Sequence, residues 1–153
     1  MRHPLLFVSL SILALAGCAK TPEQPAAPEL TGATVQLPAV PGRPAVAYFR
    51  LTAPARAALV GVQVAHFPRA EMHQSKMEGG AMTMDQVDRV PLTPGKPLAF
   101  APGGYHVMLF DGDGALKPGD TADLSLKLDT GATITGKAKV TAQGGDDMAG
   151  MKM

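Results

Sequence analysis

Apolar and polar residues trade places along this chain in short runs separated by turn-forming clusters. Ala45 to Thr52 is apolar-rich and carries Tyr48 and Phe49, and Ala57 to Phe67 alternates apolar with small residues around Leu59, Val62 and Val64. Tyr105 to Phe110 is a third run, and Thr121 to Leu128 and Ala132 to Val140 have a clear two-residue period through Leu124, Leu126, Leu128, Ile134 and Val140. That period is the mark of a strand with one buried face. Pro94-Gly95, Pro102-Gly103-Gly104, Asp111-Gly112-Asp113-Gly114, Pro118-Gly119 and Asp129-Thr130-Gly131 punctuate the runs as turns. No stretch between them has a 3.6-residue period with caps. The pattern predicts one all-β domain over about 31–141, a sandwich or small barrel.

The two ends read differently. Arg2 and His3 precede an apolar stretch of 12 residues, Leu5 to Ala16, too short to span a bilayer but right for the core of a signal peptide. It closes on Leu15-Ala16-Gly17-Cys18, which resembles the bacterial lipobox, where the cysteine is lipidated and becomes the first mature residue. The alternative is an ordinary secretory signal with a chance cysteine, and either predicts export. Residues 18–30 are rich in Pro and Ala and predict an extended tether holding the domain off a membrane. Ala19, where an aspartate commonly retains lipoproteins at the inner membrane, favours the outer one. Residues 142–153 predict a flexible tail with Met148, Met151 and Met153.

Composition removes several function classes. Cys18 is the only cysteine, so no intramolecular disulfide forms, and a lipidated Cys18 leaves the mature chain without a thiolate. Of 14 basic and 13 acidic residues, removal of 1–17 takes Arg2 and no acid, leaving 13 of each. A chain with no net charge lacks the basic face that nucleic acid requires. Tryptophan is absent and aromatics make up 5 % of the chain, so Val, Leu, Ala and Met must fill the core.

The candidate chemistry lies in the middle. His73 is followed after ten residues by Met84, and after twenty-one more by His106-Val107-Met108; Met72, Met77, Met82, Met84 and Met108 fall within 37 residues. Imidazole nitrogen with neutral thioether sulfur suits copper, and Cu(I) above all. His106 and Met108 are two apart on a predicted strand, so they leave the same face, and the Pro-Gly-Gly turn before them predicts a position near solvent. Met82 and Met84 stand in the same relation. His73 lies in a polar segment, Glu71 to Glu78, that reads as outside the core. Four donors from three segments would then converge at one end of the domain, where loops commonly build sites. A single Met on a strand reads as core filling and a single His as surface; the combination is what points to a metal. His66 has no methionine neighbour and reads as structural or surface, with a lesser prospect of supporting a ligand.

The pattern His-x10-Met-x21-His-x-Met resembles that of the periplasmic copper chaperones of the PCuAC (DUF461) family. The resemblance extends to Ala47-Tyr48-Phe49-x-Leu51-Thr52, Glu71-Met72-His73, Met77-Glu78-x-Gly80-x-Met82-x-Met84, Pro102-Gly103-Gly104-Tyr105-His106-Val107-Met108-Leu109 and Leu116-x-x-Gly119-Asp120. It implies a cupredoxin-like β-sandwich binding Cu(I) through His73, Met84, His106 and Met108. Met72, Met77 and Met82 stand outside that primary set, as candidates for secondary copper contacts. It also implies delivery of copper to an acceptor, the dicopper site of cytochrome c oxidase, directly or through a thioredoxin-like assembly factor. The segment after Thr52 is shorter than in the family. The tail lacks the histidines that give many relatives a Cu(II) site, so its methionines are either a weak Cu(I) station or plain solubilising sequence.

Rival functions fit less well. A blue-copper electron carrier needs a cysteine thiolate that the domain lacks. A copper enzyme needs an open coordination position with acid–base groups, and in the sequence no carboxylate or further histidine clusters with the four donors. The reading is therefore of a non-enzyme. Copper buffering or resistance, with the same site and no dedicated acceptor, is the main alternative to delivery.

Overall fold

The computed structural model describes residues 27–143. The signal segment, Cys18, Ala19 and the three tail methionines lie outside them. Among the described residues there are ten strands and no helix: β1 Glu29–Leu37, β2 Ala45–Thr52, β3 Ala57–Val64, β4 Arg69–Glu78, β5 Ala81–Gln86, β6 Val90–Leu92, β7 Leu98–Phe100, β8 Tyr105–Phe110, β9 Thr121–Leu128 and β10 Thr133–Ala142.

The runs with the strongest patterning form as expected. β2, β8 and β9 have the predicted limits, β10 lies slightly later, and β3 stops at Val64. It stops there because His66 adopts φ +72° and Phe67 N–H donates to the Val64 carbonyl at 3.2 Å, a tight turn. β1 starts at Glu29, inside the stretch read as tether, and Leu30 packs on the core.

The segment read as polar and outside the core is a ten-residue strand, β4, whose Met72 is buried in the core. Its alternation is concealed because both of its faces carry polar residues. The β4–β5 connection is Gly79-Gly80 with φ +57° and +83°, the two left-handed residues of a type I′ hairpin turn, with Glu78 opposite Ala81.

All ten strands join one continuous sheet in the order β5-β4-β8-β7-β2-β1-β10-β9-β3-β6, with β8 also pairing β2. The sheet folds over on itself as a sandwich. Val35, Ala47, Phe49, Leu51, Val107 and Leu109 from one half share a single buried cluster with Leu59, Leu124, Leu126, Ala138 and Val140 from the other. Fully burying a Leu or Phe stabilises by about 1.5–3 kcal/mol, so this cluster is the main force holding the layers together. The halves are linked through β1, antiparallel to β2 and parallel to β10.

Aromatic packing fixes β7 against β8. Phe49 and Phe100 stack with centroids 4.4 Å apart, and Phe100 meets Tyr105 at 5.6 Å. Between them, Ala101 to Gly104 turns the chain, with Gly104 N–H donating to the Ala101 carbonyl at 3.1 Å and Gly103 at φ +79°. Pro second and a left-handed Gly third make this a type II turn. It delivers β8 to its place beside β4.

Candidate metal centre

Residues directly opposite in an antiparallel pair point to the same face of the sheet. β4 pairs β8 with Glu71 opposite Met108 and His73 opposite His106, and β4 pairs β5 with Ser75 opposite Met84. His73, His106, Met84 and Met108 therefore leave one face of the three strands β5-β4-β8. That is the face away from Met72, Val107 and Leu109, which alternate with them into the core. The four predicted donors come together, but on strands rather than on loops at one end of the domain. Met72 is on the core side; Met77 and Met82 share the face of the donors, nearer the hairpin turn.

The two imidazoles face each other, ring centroids 5.9 Å apart and planes inclined by 24°. Each has one nitrogen engaged. His73 Nε2 lies 3.2 Å from Glu71 Oε2, and His106 Nδ1 lies 3.0 Å from the Gly104 carbonyl. Carboxylate and carbonyl oxygens accept, so those nitrogens carry the hydrogen. In the neutral rings the lone pairs then fall on Nδ1 of His73 and Nε2 of His106. The Nδ1 of His73 is buried and has no hydrogen-bond partner. A buried polar atom left so is costly, and a metal ion is one thing that satisfies it. Metal-ligating histidines commonly have the second nitrogen tied in this way, which fixes tautomer and ring orientation.

Two supporting groups did not emerge from the sequence. Glu71 carries a carboxylate to within hydrogen-bond reach of His73, which corrects the expectation that no carboxylate accompanies the donors. Its signal was its place two residues before His73, meaningful only once 69–78 is known to be a strand. It is itself held by Arg69, Nη1 to Oε1 3.2 Å, and that guanidinium lies 4.1 Å over the Phe110 ring. The Gly104 carbonyl accepts from both His106 and the Ser75 N–H at 3.0 Å, so the type II turn orients the ring.

Exposure grades across the site. His106 is 6 % exposed, against the expectation that it lies near solvent, whereas Met84 is 54 % exposed. The imidazoles form a floor and Met84 stands at the open side. His66 sits in the β3–β4 turn with Nδ1 2.8 Å from Asp113 Oδ2, a partly exposed pair within the loops, as its structural reading anticipated. That hydrogen bond holds the Asp113 carboxyl below its ordinary value. Among the described residues no group of three or more His, Cys, Asp or Glu is placed to hold a metal ion.

Known proteins resemble this chain in sequence and in fold. A family model described as "Putative lipoprotein LpqE-like" matches residues 29–140. No curated protein sequence matches. The fold is similar to that of the copper-bound PCuAC domain from PmoF2, at 23 % identity and TM-score 0.62, covering 78 % of this chain and 96 % of that one. It is similar also to apo-DR1885 from Deinococcus radiodurans, at 26 % identity and TM-score 0.58, covering 93 % and 97 %. The Cu(I) form of DR1885 matches at 28 % identity and TM-score 0.54, covering 82 % and 83 %. The architecture is thus the cupredoxin-like sandwich of PCuAC domains, as the sequence resemblance implied. With the family match running from β1 to within β10, the chain belongs to the LpqE-like family.

Proposed function

We propose that this protein is an exported, lipid-anchored copper chaperone that carries Cu(I) on His73, His106, Met84 and Met108. The observation that carries the reading is the pair of facing imidazoles, each with one nitrogen tied to an oxygen acceptor and the other left with its lone pair, one of these buried and unpartnered. Two imidazoles and two thioethers form a neutral, soft set suited to Cu(I). The family's description as lipoproteins and the Cu(I) form of DR1885 support anchor and cargo. The lipid would be on Cys18, with Ala19 pointing to the outer membrane.

Copper here is cargo, and the site suits temporary custody. Thioether sulfur never has to lose a proton to bind, and with no thiolate in the set the ion is held firmly without being trapped. Glu71 and the Gly104 carbonyl keep the imidazoles in one orientation through loading and unloading. Met84, at the open side, is the donor nearest an approaching acceptor. The acceptor is a copper protein in the same compartment, with the dicopper site of cytochrome c oxidase, reached directly or through a thioredoxin-like assembly factor, as the destination.

A Cu(I) titration against a chromophoric chelator tests the site, using the chain from residue 18 with Cys18→Ser so that no thiol competes. We expect one tight equivalent, weakened at least about tenfold by Met84→Ala or Met108→Ala, since even groups supporting a ligand are worth that much. Absence of competitive binding would sink the proposal. Loss of the gene should lower oxidase activity at limiting copper; a change in copper tolerance alone would mark buffering instead of delivery.

A further inference from the structure

Met77 and Met82 are 67 % and 65 % exposed, more than any other large apolar side chain among the described residues. Neither strand nor turn requires methionine there, and bare apolar surface at a hairpin tip brings no packing in return. The register makes them direct cross-strand partners, next to the Gly79-Gly80 turn and on the face that carries His73 and Met84. Cβ atoms so paired lie about 4.5–5.5 Å apart, within reach of two flexible thioethers closing on one ion. Met82 is two residues from Met84, so one strand repeat of about 6.6 Å separates this sulfur pair from the outermost donor of the four-ligand site. The charged neighbours alternate to the other face, where Lys76 pairs with Asp85 at 3.9 Å.

We propose that Met77 and Met82 form a second, weaker Cu(I) station of two thioethers, through which the ion enters and leaves the four-donor site. The inference rests on the copper reading of that site. The ion arrives on Met77 and Met82, and Met84 binds before either of them lets go. It then passes to the imidazole floor; unloading reverses the order. On loading, bonds to Met84, Met108, His73 and His106 form while the two to Met77 and Met82 break; copper stays monovalent and no proton moves. The dense sulfur on this strand pair then has a division of labour: Met84 and Met108 set affinity, Met77 and Met82 set rate.

The test uses the chain from residue 18 with Cys18→Ser, and the double variant Met77→Leu/Met82→Leu on that background. Leucine keeps the apolar area and removes the sulfur. We expect affinity for the first Cu(I) to stay the same while stopped-flow release to a chromophoric chelator slows several-fold. In the unmodified pair, with methyl-labelled methionine and Ag(I) as a redox-inert stand-in, the first equivalent should move the Met84 and Met108 signals. A second should move Met77 and Met82. Unchanged release in the double variant, or a second equivalent that moves neither methyl, overturns the station and leaves the four-donor site standing. No binding of even the first equivalent would overturn both.

Discussion

Glu71 makes the sharpest single-residue prediction. Its carboxylate holds the Nε2–H of His73, so Glu71→Gln keeps an acceptor oxygen but loses the charge that makes the ring a better donor. We expect Cu(I) affinity to fall roughly tenfold with the fold intact, read by chelator competition alongside near-ultraviolet circular dichroism. An unchanged affinity would mean that Glu71 serves only its ion pair with Arg69. The four residues that share this face were legible as a candidate set because their types and spacing are distinctive. Glu71 was not, because a carboxylate two residues from a histidine means proximity only in an extended strand. The burial of His106 was hidden for a related reason: a preceding Pro-Gly-Gly turn suggests solvent, whereas this turn brings β8 inward against β4.

At the level of elements, the turn that orients His106 is a point of leverage. Gly103 sits at φ +79° in open space, so Gly103→Ala meets no clash but must hold a left-handed backbone, at about 1–2 kcal/mol. We expect that loss in urea melts, together with weaker Cu(I) binding as the Gly104 carbonyl shifts. A second element-level tie joins the β9–β10 turn to β3. Asp129 accepts from the Ala58 N–H at 2.9 Å and pairs with Arg89 at 2.5 Å, and these hold its carboxyl below the ordinary 3.8. A depressed carboxylate stabilises the fold fully above its unfolded value and loses that contribution as pH falls through the folded one. Thermal stability should therefore drop below about pH 3.8, and Asp129→Asn should be less stable at neutral pH and flatter in acid. β2, β8 and β9 were legible because one face is apolar. β4 and β5 were not, since their outward face carries histidine, methionine and polar side chains away from the core, and β6 and β7 are too short to show a period. The Gly79-Gly80 pair was the available signal for the hairpin, and only its position between two polar runs concealed it.

For the molecule as a whole, stability rests on one cluster shared by both layers. Phe49 is 1 % exposed and stacked on Phe100, so Phe49→Ala should cost about 3–5 kcal/mol in denaturant melts, a large share of a domain's net stability. The parallel ladder of β1 with β10 gives a different kind of consequence, one of timing. β1 is the first of the ten described strands to be synthesised and β10 the last, and the hydrogen-bonded ladder passes from one half of the sheet to the other only through their pairing. Contacts so distant along the chain form slowly. The ladder therefore cannot close until β10 is made, so its completion is the last pairing open to a chain that folds as it is synthesised.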